Sequence, residues 1–259
     1  MAVNRTFDPV AEATAAFQVV VKNWMLAVPQ LIVGIIVVVL ALVLGLGSIM
    51  AAGGLAAMMS HGDNGAGLAA LSSLMGTIWI IALVAVVLGL IACAATIIAA
   101  NDALAGRPVD IGGAAGKAVA NLVQLLIFGV IMGVACAIVA ITFIGPLIIG
   151  ILMMYGFQAI VLGGQSGISA ISESYRLVTK NFGPSIIAVL AAIVAYIVGF
   201  VINMVLGIIP VIGQIIALIV GAFIFAYTIT VITRFYSLLQ SGAVVTATPV
   251  PPMIPPAAS

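Results

Sequence analysis

Six long, nearly unbroken apolar runs restrict this chain to one kind of solvent. They cover Trp24–Leu46, Met75–Ala99, Leu122–Phe143, Pro146–Leu162, Ile186–Leu206 and Val211–Ile232. A helix crossing a bilayer needs about 20 such residues. Charged residues make up only 5% of the 259, against about 25% in an ordinary soluble domain. The chain therefore lacks the polar surface to face water. In lipid every backbone N–H and C=O must be satisfied internally, which leaves helices or closed barrels. Barrel strands are short and alternate in polarity. These runs are long and continuous, so the predicted fold class is all-α: a polytopic membrane protein with six transmembrane helices.

The cations give the threading. Arg5, Lys22, Arg107, Lys117, Arg176, Lys180 and Arg234 fall before the first run, in alternate connections, or at the end of the last run. The connections between them carry no Lys or Arg. Basic residues stay on the cytoplasmic side, so both termini are expected in the cytoplasm of a bacterial inner membrane. The segment 1–23 reads as a cytoplasmic N-terminal amphipathic helix, 24–240 as the six-helix domain, and 241–259, rich in proline, as a disordered cytoplasmic tail. No apolar core stands near enough to Met1 for a signal peptide, so the first run is expected to remain as a span.

The first outside connection, Gly47–Ser73, holds His61, Asp63 and Asn64 and reads as a solvated loop or an extension of its helices. The other two outside turns are tight, at Ile144-Gly145 and around Pro210.

Self-similarity adds a finer prediction. VAEATAAFQVVVKNW at 10–24 and ISAISESYRLVTKNF at 168–182 both place an aromatic residue (Phe17, Tyr175) seven positions before a second one (Trp24, Phe182). Both put Lys-Asn directly before the second aromatic (Lys22-Asn23, Lys180-Asn181). Apolar residues recur at helical spacing in each, so both segments read as amphipathic helices in the interface plane. Phe17, Lys22, Trp24, Tyr175, Arg176, Lys180 and Phe182 are the expected contacts with lipid or a partner. Pro108-Val109-Asp110 marks a turn and helix cap, which makes Ile111–Ala120 a weaker third copy without the aromatics or the Lys-Asn pair. The predicted unit is an interfacial helix followed by a helical hairpin, used three times in parallel rather than inverted order.

The segments Ser172-Glu173-Ser174-Tyr175-Arg176-Leu177, Lys180-Asn181-Phe182 and Gly106–Gly112, with the Pro146 and Pro210 hairpins, resemble a known bacterial family. This is the six-helix membrane domain fused to some glycerophosphodiester phosphodiesterases and found in stand-alone relatives. The resemblance spans about Phe7 to Leu239 and implies a fold rather than an activity. Only residues 241–259 follow the six-helix domain here, so the phosphodiesterase chemistry of the fused members is not expected to carry over to any residue.

Little else points to chemistry. His61 and Asp63 are too few for a metal site, which takes three or four ligands, and no cofactor is expected. Cys93 and Cys136 lie inside apolar runs and read as small buried hydrophobes. No dense basic run exists to neutralise phosphates, so nucleic acid is not an expected partner. The runs contain neutral polar residues only, among them Gln30, Gln124, Asn203 and Gln214, which either form an interior polar cluster or bond between helices. Gly129 and Gly133 form a GxxxG pair, and Gly221 ends a small-xxx-small pair; both suit close helix packing within the chain or in a homo-oligomer. The expected function is non-enzymatic: an accessory, scaffold or membrane-organising subunit that touches lipid and another membrane protein. The alternatives are a transporter or channel for a neutral or apolar solute, lined by the polar four, and a lipid-metabolism enzyme with Asp102, Arg107, Glu173 and Arg176 converging.

Overall fold

A computed structural model of the protein describes residues 8–51, 64–142, 144–209 and 211–241. His61, Asp63, Phe7, Phe143, Pro210 and the proline-rich segment 242–259 lie outside the described residues. Every described element is helical: α1 (Pro9–Lys22), a 3-10 turn (Trp24–Ala27), α2 (Val28–Ala51), α3 (Asn64–Leu104), α4 (Ile111–Ala120), α5 (Leu122–Val139), α6 (Gly145–Leu152), α7 (Gly156–Val161), α8 (Gly167–Lys180), α9 (Phe182–Leu206) and α10 (Ile212–Gln240). The protein is an all-α polytopic membrane protein.

Among the described residues, five stretches are long and apolar enough to cross a bilayer: Trp24–Gly47, Ser72–Leu104, Leu122–Val139, Phe182–Leu206 and Ile212–Gln240. The fourth predicted span is not a continuous sixth helix. It is a shorter apolar segment broken into α6 and α7 at residues 153–155. The break has a local cause. The Gly156 N–H tightens onto Met153 C=O at 3.0 Å, which leaves the Leu152 carbonyl and the Tyr155 N–H without helical partners. The Ser174 hydroxyl takes both, donating to Leu152 C=O at 2.8 Å and accepting from Tyr155 N–H at 3.1 Å. The missing side chain of Gly156 makes room for the Phe128 ring, which would stand 2.1 Å from a Cβ there.

The order of elements follows the expected unit: α1 before α2 and α3, α4 before α5 and α6–α7, α8 before α9 and α10. The two helices of each hairpin pack on each other. The three short helices open on a side-chain cap. Asp8 accepts from the N–H groups of Val10 and Ala11, Asp110 from Gly113, and Ser166 from Ser169, which satisfies donors that no helical turn reaches. Each short helix ends on an asparagine whose side chain donates back to a carbonyl four residues earlier: Asn23 to Val19 at 2.9 Å, Asn121 to Lys117 at 2.9 Å, Asn181 to Leu177 at 3.1 Å.

The third copy is thus complete at both ends and one turn shorter, with 10 residues against 14. Gly113, which weakens a helix by propensity, is needed where it stands. A Cβ would meet Asp110 Oδ2 at 2.4 Å and push the capping carboxylate away.

The buried residues gather at the basic end of the bundle. Most of them come from 16–27, 92–100, 114–128, 155–160, 170–188 and 222–239. α10 is the centre of this layer and packs against α1, α2, α3, α9 and the 3-10 turn. It continues past the predicted boundary at Ile232 to Gln240, and Thr233, Phe235, Tyr236 and Leu239 are buried in that extension. At the opposite, bare end the same helices turn large apolar side chains outward, among them Val39, Leu42, Leu83, Val134, Phe200 and Ile215. A bundle exposing this much hydrocarbon has acyl chains along its flanks.

Candidate functional site

α1 is held to α10 at two levels. The Glu12 carboxylate pairs with the Arg234 guanidinium across 222 residues of sequence, both side chains half-buried. One turn further along α1, the Phe17 ring meets Tyr227 edge-on, with centroids 6.0 Å apart. Ala16 and Val20 fill the seam between them and are fully buried. The charge pair is the stronger constraint, because a half-buried charge left alone loses its hydration without compensation. Arg234→Gln is expected to lower stability by about 1.5–3 kcal/mol. The double variant Glu12→Gln/Arg234→Gln should recover part of that loss, read by denaturant unfolding in detergent.

Beside this seam runs an apolar groove of about 600 Å3. One wall is α1, with Val10, Thr14, Phe17 and Val21. The other is α9, with Leu190, Val194 and Val198, and Phe223, Ile224 and Tyr227 of α10 form the floor. The Thr14 hydroxyl turns inward to donate to Val10 C=O at 2.8 Å, so it presents no free donor to a ligand.

The predicted contact residues sit on outward faces. Phe17, Trp24, Tyr175 and Phe182 are between 52% and 59% exposed, and Lys22, Arg176 and Lys180 are exposed. Small residues face the protein instead: Ala16 on α1, Gly167, Ala170 and Ser174 on α8. Arg176 donates to both oxygens of Glu173, at 2.8 and 2.7 Å. That bond, and then the charge of Glu173, raise the guanidinium pKa further.

The polar four do not form one cluster. Gln30 and Gln124 lie at the basic end, Asn203 and Gln214 at the bare end. Gln124 Oε1 accepts from the Gly167 N–H at 2.8 Å, fastening α5 to α8. Asn203 donates to Gly199 C=O in its own helix at 2.8 Å, and Gln214 is exposed. Gln30 Oε1 is buried without a hydrogen-bond partner among the described residues.

The glycine pair also differs from its expected role. A Cβ at Gly129, Gly133 or Gly221 would meet nothing within 4 Å, so none of the three marks a close approach within the chain. The tight approaches are elsewhere, at Gly156 against Phe128 and at Gly167 against Gln124 and Ile127. Asp102 and Arg107 pair with each other at 2.5 Å, and Glu173 with Arg176, as two separate local pairs.

Sequence reasoning missed the node that organises the basic end. The Tyr155 hydroxyl lies 3.4 Å from that of Ser185, and its ring packs at 6.0 Å on Tyr236, whose hydroxyl accepts from Gln240 Nε2 at 3.1 Å. With Ser174, these side chains tie α7, α8, α9 and α10 together. A signal was present: Tyr155 and Gln158 are polar residues inside an apolar run that is itself short.

The chain is therefore a multi-pass helical membrane protein whose short helices and groove gather at one end. No family model matches it, and no similar curated protein or solved structure is found.

Proposed function

We propose that this protein is a non-enzymatic, membrane-organising accessory subunit of a bacterial cytoplasmic membrane, with its basic end and both termini on the cytoplasmic side. Its working surfaces are the outward faces of α1 and α8, which lie at the interface and engage lipid and a second membrane protein. The observation that carries the reading is how the side chains are divided. The large apolar and aromatic groups of both helices (Val10, Phe17, Ile168, Tyr175) are each more than half exposed. The acidic groups among the described residues are spent on internal work: Asp8 and Asp110 cap helices, and Glu12, Asp102 and Glu173 pair with arginines.

Such a division suits a surface that binds by area and shape. The resemblance to the phosphodiesterase-linked membrane domains belongs to the same proposal, with this chain as a relative that keeps the membrane unit's role.

The test is site-specific photo-crosslinking at Tyr175 in intact membranes, followed by extraction in a gentle detergent. One membrane protein should be captured reproducibly, and Tyr175→Ser should reduce its co-purification. A chain that runs alone, with membrane complexes unchanged on deletion, overturns the reading. Thiol labelling of cysteines placed at 61 and 175 checks the orientation. Residue 61 should react from outside and residue 175 only after the membrane is opened.

A further inference from the structure

We infer that the groove between α1 and the α9–α10 hairpin is a binding site for one acyl chain of a membrane phospholipid. The inference rests on the membrane placement above and not on the scaffold role. Three observations carry it. First, the groove is lined by apolar side chains, and its hydroxyls are those of Thr14, already bonded to Val10 C=O, and of Tyr227. A ligand there is recognised by shape and hydrocarbon contact.

Second, its length fits a single leaflet. The α9 wall runs from Ile187 to Val198, and 11 helical steps cover about 16 Å. Half of a roughly 30 Å hydrocarbon core is about 15 Å. The α9 wall follows the long axis of a membrane-crossing helix, the direction in which lipid chains lie, and it starts near the basic end.

Third, the rim is continuous with the lipid-facing surface. Leu190, Val194 and Val198 each expose more than half of their surface while lining the groove. Along the floor of the α9 wall the side chains shrink to Ala191 and Ala195, which leaves a channel for a methylene chain. Fastened by the Glu12–Arg234 pair and by Phe17 on Tyr227, α1 forms a fixed side wall. A chain held there is confined on three sides, whereas a lipid on a plain helix flank touches one. Burying each methylene stabilises by about 0.8 kcal/mol, so the groove retains a lipid that the open flanks release.

Native mass spectrometry of the full chain, purified through a mild detergent with extended washing, tests this. About one phospholipid per chain should remain bound. Ala195→Phe, which fills the channel, should reduce the retained fraction at least about tenfold, the equivalent of two lost methylene contacts. Ala191→Leu, a smaller plug, should lower it in the same direction if Ala195→Phe does not fold. Val134→Phe places the same ring on the outward face of α5 and should leave retention unchanged.

Retention unaffected by either plug overturns the inference. So do equal loss from Val134→Phe, and a free fatty acid, an isoprenoid or a protein helix found in the groove. Loss of lipid with the crosslinked partner intact, or the reverse, separates this inference from the proposed function.

Discussion

Ser174→Ala is expected to be among the most damaging single-atom deletions in this protein, lowering stability by about 2–5 kcal/mol. Among the described residues, the hydroxyl is the side-chain group that serves both backbone atoms left over where α6 stops and α7 begins. It donates to Leu152 C=O and accepts from Tyr155 N–H. Its removal orphans both, the Tyr155 N–H at a fully buried site and the Leu152 C=O at a part-buried one. Each orphaned buried polar group costs about 1–3 kcal/mol. Ser172→Ala on the same helix removes only a bond from an exposed hydroxyl to Ser169 C=O and should change stability by less than about 0.5 kcal/mol. Denaturant unfolding of the two variants in one detergent separates the cases. Equal effects would mean that the break between α6 and α7 is held by packing alone.

Gly213→Ala is the second variant with a large expected effect, about 3 kcal/mol or more. Gly213 sits at the start of α10, after a turn in which Val211 takes a positive φ of 62°. A Cβ on Gly213 would stand 1.9 Å from the carbonyl oxygen of Leu206. That oxygen is backbone at the end of α9, so no side-chain rotation relieves the clash. The hairpin has to open. Gly133→Ala is the matched comparison, because its Cβ meets nothing within 4 Å and Ala gains up to about 1 kcal/mol over Gly in a helix. A loss at Gly133 instead would show that its face is covered by another chain. Thermal unfolding in detergent ranks the two.

Much of the architecture was legible because lipid leaves few choices. Apolar runs of span length, with cations in alternate connections, give the hairpins and the end at which the short helices meet. Ile111–Ala120 is placed by a turn that ends on one capping aspartate, Asp110, and the helix has those bounds. The fourth span was not legible as broken. Composition records that Pro146–Leu162 is apolar, but the break depends on a serine 19 residues after Tyr155 in sequence. The asparagine ends were half legible: Lys22-Asn23 and Lys180-Asn181 drew attention, while Asn121 did the same work without an adjacent lysine. The groove was not legible at all. It arises where α1 meets a hairpin near the other end of the sequence, and no local periodicity encodes a gap between distant elements. Gly129 and Gly133 show the converse limit. Spacing says that two glycines share a face, and only tertiary structure says that the face is empty.

The seam between α1 and α10 also sets the order of assembly. α1 has its seat on α10, so Glu12 has no answering charge until synthesis has passed Arg234. The hairpins between them are all made before that seam can close. A chain halted before Arg234 leaves α1 without its seat.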